Sequence, residues 1–444
     1  MAIPTSGAPA HLRWRALPLA TTAPLATVLL AATLLPAVAI QPAIAQDLQR
    51  ATPEEVGMSS ARLERLSHAL QAYVDNGEVA GTATIVVRRG KIVYLEAFGQ
   101  LDRESRSPMT TDAIFRIASQ TKAPISVGIM MLQEEGKLLI TDQVGKYLPE
   151  FMQTTVAVPD GEGGYEVVPA DRPILIRDLL THTAGISYGT GAASERWEEA
   201  GITGWYFANR DEPVGATVAR MAGLPMSAQP GTRWVYGYNT DILGAVIEEV
   251  SGEPLDVFMR ERILDPLGMN VTHFYLPTAD RNRLATVYSA TPGGLERAPD
   301  PGLMVGQGAY VDGPRQSFSG GAGFLSTAPD YARFLQMMLN GGELDGVRIL
   351  TPKTIELMTT DHLRGIPFRA GQGFGLGFSI VTDLGARGIP GSVGEYGWGG
   401  AYHSTYWVDP EEELVVVYLT NLIPAGGIDD HGKLRALIYQ ALMN

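Results

Sequence analysis

The sequence contains no cysteine, which excludes disulfides, thiolate metal sites and a lipid-modified N-terminal cysteine. Histidine is scarce, at 7 in 444 residues. No two histidines form His-Glu-x-x-His or another close pair, so neither a metal nor any other cofactor is expected. Lysine is rarer still, at 6, and the formal charge is −14. Such an acidic chain lacks the basic footprint of a nucleic-acid binder, so no nucleic-acid partner is expected. Charged residues make up only 18% against 45% apolar, a globular rather than a disordered balance. Neither internal repeats nor low-complexity tracts occur.

One long hydrophobic run is present, and it lies at the N-terminus. Arg13 and Arg15 precede an uncharged, mostly apolar stretch from Ala16 to Ile40. Ala43-Ile44-Ala45 then offers a small-x-small cleavage site. Residues 1–45 therefore read as an export signal, with Gln46 as the first residue after cleavage and a periplasmic or secreted destination. The competing reading is an uncleaved anchor. Pro18, Pro24 and Pro36 interrupt the run, so no stable membrane anchor is expected to remain.

Past residue 45, periodicity divides the chain. Leu63, Leu66, Leu70 and Tyr73 share one face of a helix expected over 59–76, capped by Ser59 or Ser60. Residues 81–89 and 91–98 read as two strands joined at Gly90. Strand patterns return at 374–381, 404–408 and 414–419, with helices at 331–339 and 433–442. The middle is loop-rich, with helical runs at 176–182, 217–221 and 241–251. Its aromatics Trp197, Trp205, Tyr206 and Phe207 suit either core or a flap over an apolar site. The fold class expected is α+β. One antiparallel sheet is built from both chain ends and flanked by helices, with a mostly helical insertion. The boundaries are 46–152 with 321–444 for the sheet domain and 153–320 for the insertion.

Three short stretches carry chemistry. Ser119-Gln120-Thr121-Lys122 puts a lysine three residues after a serine at the start of a helical pattern, so the two side chains share a face. With 19 serines and 6 lysines, chance alone gives about 0.26 such matches, so the tetrapeptide is weak by itself. An ordinary lysine, with a pKa of about 10.4, is also no base at neutral pH. A tyrosine held beside the cation would be one. Tyr236 offers itself in Pro230-Gly231-Thr232-Arg233-Trp234-Val235-Tyr236-Gly237-Tyr238-Asn239, just before a helix. The third stretch is Gly397-Trp398-Gly399-Gly400-Ala401-Tyr402, where glycines mark close backbone approach.

Taken in order, these stretches resemble the serine β-lactamase and penicillin-recognising superfamily, and most closely its class C-like hydrolases and family VIII carboxylesterases. Leu179-Leu180-Thr181-His182-Thr183-Ala184-Gly185-Ile186 and the block Ser319 to Thr327 extend the likeness. The resemblance implies a β-lactamase/transpeptidase-like fold. It makes Ser119 the acylated nucleophile, Lys122 its proton partner and Tyr236 the base. It assigns the oxyanion to the N–H groups of Ser119 and Ala401. Trp398, Gly399, Gly400, Tyr238 and His403 are the implied substrate contacts. Two departures stand out. Asn239 falls one place late for a Tyr-x-Asn motif, and Trp398 occupies the position of the lysine of Lys-Thr-Gly. A ring in place of a cation favours neutral acyl groups over carboxylate-bearing lactams.

The expectation is an exported carboxylesterase acting on a small-molecule ester through an acyl-enzyme. The same site on a β-lactam or a D-amino-acid peptide is one alternative, and a non-catalytic envelope-binding module another. Gly185-Ile186-Ser187-Tyr188-Gly189 also matches Gly-x-Ser-x-Gly, which would make Ser187 the nucleophile with His182 or His403 as base. A helical run precedes it where that motif needs a strand.

Overall fold

The computed structural model describes residues 47–444. The expected export signal lies outside the described residues. Among those described, no helix is long and apolar enough to cross a membrane.

Both ends of the chain build one eight-stranded antiparallel sheet. Its strands are β1 (Gly81–Arg88), β2 (Lys91–Asp102), β3 (Ser107–Pro108), β4 (Gln372–Phe374), β5 (Ser379–Val381), β6 (Tyr396–Gly400), β7 (Ser404–Asp409) and β8 (Leu414–Leu419). They lie in the order β4-β5-β6-β7-β8-β1-β2-β3. The sequence ends therefore meet at β1 and β8, where Val86 faces Val416. Side chains alternate across a strand, and here both faces are covered. Ile85, Val87, Val415 and Val417 enter the main core. Val86, Val416 and Tyr418 enter a second layer with Leu63, Leu66 and Leu70 of helix α1 (Ser60–Asp75). Each of these buried leucines stabilises the layer by about 1.5–3 kcal/mol. Ser59 caps α1 by accepting from the Arg62 N–H, as the sequence suggests.

Helix α2 (Lys122–Glu134) is buried on every side from Lys122 to Leu132, which suits its near-continuous apolar sequence. It packs on α4 (Asn239–Ser251), to which α3 (Ile176–Leu180) is also joined. Helix α5 (Ala328–Leu339), capped by Thr327, covers β8 and β1 from the main-core side. Helix α6 (Asp430–Tyr439) lies beside α1.

Two local expectations change. The single strand expected at 374–381 is split into β4 and β5, because the chain turns at Gly377 at φ +104°, where a β-carbon would fall 2.5 Å from the Ser126 hydroxyl. The middle segment, expected as loops and helical runs, carries strands as well. It carries two hairpins, Thr155–Pro159 with Tyr165–Pro169 and Tyr288–Thr291 with Gly294–Arg297. Most positions of the first hairpin are partly or wholly exposed on both faces, so it leaves little period-two signal.

Candidate active site

Ser119 sits on a short turn, Ala118–Thr121, that runs directly into α2. The turn is clamped from one side. Ile117 N donates to Phe324 O, Phe324 N to Thr121 Oγ1, and Tyr331 Oη to Gln120 O. Ala118 takes φ +42°, a left-handed conformation that costs a non-glycine residue about 1–3 kcal/mol. That strain presents Ser119 at the floor of a cleft of about 490 Å³.

Lys122 is buried, and its Nζ donates to Ser119 Oγ at 3.3 Å, Tyr188 Oη at 3.0 Å and Gly321 O at 2.7 Å. It also lies 4.7 Å from the centre of the Tyr236 ring. Gly321 is held in turn by Asp241, whose Oδ1 accepts from Gly321 N and Ser319 Oγ. Burial raises the Asp241 carboxyl, against the opposing pull of Lys122.

Tyr236 reaches the cleft because Gly237 lets the chain lie against Ile186 and Ser187. A β-carbon at Gly237 would fall 2.3 Å from Ile186 O. The Tyr236 hydroxyl accepts from Trp398 Nε1 at 3.0 Å. Behind it stands His182, with ring centres 4.7 Å apart. Burial, then the Lys122 charge, holds His182 well below the ordinary range, so it is neutral. It ends helix α3 at φ +56° and bonds Asn239 at 2.9 Å. His182 is thus a prop for Tyr236 and Asn239. Asn239 is fully buried, and its Nδ2 faces His182 Nδ1, Ile186 O and Val235 O, away from the cleft.

The opposite wall is the end of β6. Gly400 abuts the Ser119 turn, where a β-carbon would lie 2.4 Å from Ile117 O. The Ala401 N–H follows at once, and neither it nor the Ser119 N–H donates to another group among the described residues. His403, two residues after Ala401, takes φ +63°. Its Nε2 bonds Asp430 Oδ1 at 2.7 Å, and its ring stacks on His431 at 4.1 Å. Asp430 also accepts from Tyr418 Oη at 2.7 Å. Burial acts to raise Asp430, but the bond and charge of His403, then His431 and Tyr418, hold it below the ordinary carboxylate value. His403, Asp430 and His431 come within 4.8 Å of one another, and the two carboxylate oxygens are already taken by His403 and Tyr418.

The cleft thus gathers Ser119, Tyr236, Trp398, Gly399, Gly400, Ala401 and His403, with Lys122 beneath. Tyr238 does not join them. It is fully buried, donates to Gly204 O at 2.7 Å and packs edge-on behind Tyr188 at 4.9 Å. Ser187 is engaged in a turn, bonding Thr190 and Ser227. Of the middle aromatics, Trp197, Tyr206 and Phe207 are core, while Trp205 lines the cleft. Sequence reasoning missed Tyr188. It lies inside the Gly-x-Ser-x-Gly block, a motif that singles out the serine.

A buried lysine on a serine hydroxyl, two free N–H groups across the cleft and a sheet drawn from both chain ends define a serine hydrolase of the β-lactamase-like class. The chain belongs to the Beta-lactamase family, whose profile matches residues 66–440. It is 34% identical over 377 residues to Protein Rv1367c of Mycobacterium tuberculosis, covering 81% of this chain and 90% of that one. It is 31% identical over 388 residues to Esterase EstB of Burkholderia gladioli, covering 83% and 93%. Among solved structures it is similar to EstCE1, a hydrolase with promiscuous acyltransferase activity. There the TM-score is 0.73 at 30% identity, over 85% of this chain and 98% of that one.

Proposed function

We propose that the protein is an exported carboxylesterase in which Ser119, Lys122 and Tyr236 carry acyl transfer. The observation that carries this reading is the contact of Lys122 Nζ with Ser119 Oγ at 3.3 Å, opposite the free Ala401 N–H. Ser119 Oγ attacks the ester carbonyl as its proton passes to the phenolate oxygen of Tyr236, which the Lys122 cation stabilises. The carbonyl oxygen becomes an oxyanion between the Ser119 and Ala401 N–H groups. Tyr236 then gives the proton to the departing alkoxide, which leaves as the alcohol. Water repeats the sequence on the acyl-enzyme and releases the acid; an alcohol acceptor would yield a new ester instead.

Two tyrosines lie near Lys122, and their surroundings separate them. Burial first, then neighbouring Tyr236 and Asp241, push the Tyr188 hydroxyl well above the ordinary phenol range. Tyr188 therefore keeps its proton. Tyr236 receives a hydrogen bond from Trp398 and faces the lysine with its ring, which suits a proton acceptor. Ester substrates, rather than lactams or D-amino-acid peptides, are supported by two features. Asn239 is turned inward, and similar proteins are named as an esterase and an acyl-transferring hydrolase. The division at 152 and 321 belongs to the same reading, supported by all eight strands of the main sheet lying outside 153–320.

The test is turnover of 4-nitrophenyl butyrate. Tyr236→Phe and Lys122→Ala should each lower kcat by about 10²–10⁴. The double variant should fall little further, because the groups act as one unit. Full activity in Tyr236→Phe would remove the tyrosine from the relay.

A further inference from the structure

Trp398 brings an uncharged ring to the place where the resemblance has a lysine, yet a cation stands at the same mouth from another direction. Arg369 belongs to the loop 359–371 and lines the cleft together with Ser119, Tyr236 and Trp398. Its guanidinium carbon lies 4.8 Å from the centre of the Trp398 ring and 5.1 Å from that of Phe368. Those rings are themselves built in. Phe368 stacks on Trp398 at 6.4 Å with planes 22° apart, and it contacts Trp234 at 4.8 Å. A guanidinium held against aromatic faces is oriented while its N–H edge stays open for a planar, bidentate acceptor.

The other positive groups around the cleft are taken. Arg387 and Arg435 grip the two oxygens of Glu395 at 2.9 and 2.6 Å. Lys122 is spent on Ser119, Tyr188 and Gly321. Arg369 has no side-chain hydrogen bond and no carboxylate within 4.0 Å among the described residues, although the chain is rich in acid, with 48 Asp and Glu against 34 Lys and Arg. In a body of charge −14, a cation left open at the mouth of the cleft is a place where an anion gains.

We propose that Arg369 is a specificity-determining residue that binds a carboxylate carried by the ester substrate, on its acyl or its alcohol side. The natural substrate is then an ester with an uncharged reacting carbonyl, held over Trp398, and a remote anionic group in the fork of Arg369. The inference rests on the Ser119 esterase reading and narrows its substrate class.

The experiment compares matched probes in the full-length folded enzyme. For the acyl side these are mono-4-nitrophenyl adipate and its methyl ester; for the alcohol side, 4-acetoxybenzoate and methyl 4-acetoxybenzoate. In the wild type, the free acid of at least one pair should be favoured in kcat/KM. The pair that shows the preference tells which side carries the anion. In Arg369→Gln the acid-to-neutral ratio should fall about tenfold, mostly through KM. Arg369→Lys should keep part of the preference, since it retains charge but loses the fork.

An unchanged ratio in Arg369→Gln would overturn the inference and leave the esterase reading standing. So would an equal fall on acid and neutral probes, since Arg369 would then act through Trp398 on Tyr236. Absence of turnover on every probe by the wild type would overturn both.

Discussion

The two walls of the cleft are built on opposite plans. The Ser119 wall is a continuous piece of chain whose polar atoms are tied inward. Lys122 alone reaches Ser119, Tyr188 and Gly321, and Thr121 and Gln120 are pinned to Phe324 and Tyr331. The Ala401 wall is the free end of a glycine strand, braced from a helix about thirty residues later through His403 and Asp430. Each wall carries a non-glycine residue at positive φ near the cleft, Ala118 immediately before Ser119 and His403 two residues after Ala401. Strain of this kind persists only where surrounding contacts over-determine the backbone. The comparison teaches that Ser119 is positioned by many contacts drawn from distant parts of the chain, whereas the Ala401 N–H depends on a few. The second wall is therefore the easier to loosen.

The largest effect from loosening it is expected at Gly400. In Gly400→Ala the new methyl would meet the backbone carbonyl of Ile117 at 2.4 Å, forcing β6 away from the Ser119 turn. Loss of one oxyanion donor's geometry should lower kcat by about 10²–10³, with stability reduced by about 1–3 kcal/mol. Steady-state kinetics with a thermal melt would read both. A variant as active as wild type would mean that the two walls need not touch.

A smaller effect should follow from Asp430→Asn, which leaves the strand and weakens only its brace. The folded pKa of Asp430 lies below its ordinary value. Its contribution is therefore present above the unfolded pKa and is lost as pH falls through the folded one. Asp430→Asn should be less stable than wild type at neutral pH by about 1–3 kcal/mol, and the gap should close below about pH 4. Melting curves across pH would show this; a constant gap would mean that the carboxylate charge plays no part. Turnover should drop modestly, as the turn carrying Ala401 gains freedom.

The same difference between the walls governs what could be read from the sequence. The Ser119–Lys122 pairing is local, so Ser-x-x-Lys and the helical period after it were enough to bring those two side chains together. The sheet was legible because β1 and β8 are short runs rich in valine and bounded by turns, buried on both faces. The Ala401 wall was legible only as glycines in an unusual place, and Asp430, the partner of His403, lies too far along the chain for any spacing rule. Tyr188 and Tyr238 show the limit most clearly. They share one sequence feature, a tyrosine beside a glycine in a loop, yet Gly237 turns one chain segment against the other so that Tyr188 meets Lys122 and Tyr238 is buried behind it. Only tertiary packing chooses between them.

The central claim, that Ser119 is the nucleophile, is tested most directly by labelling folded protein with a fluorophosphonate and mapping the modified peptide. The account predicts label on the peptide carrying Ser119, none in Ser119→Ala, and much slower labelling in Tyr236→Phe. Label on Ser187, or no label in protein that melts cooperatively, would contradict it.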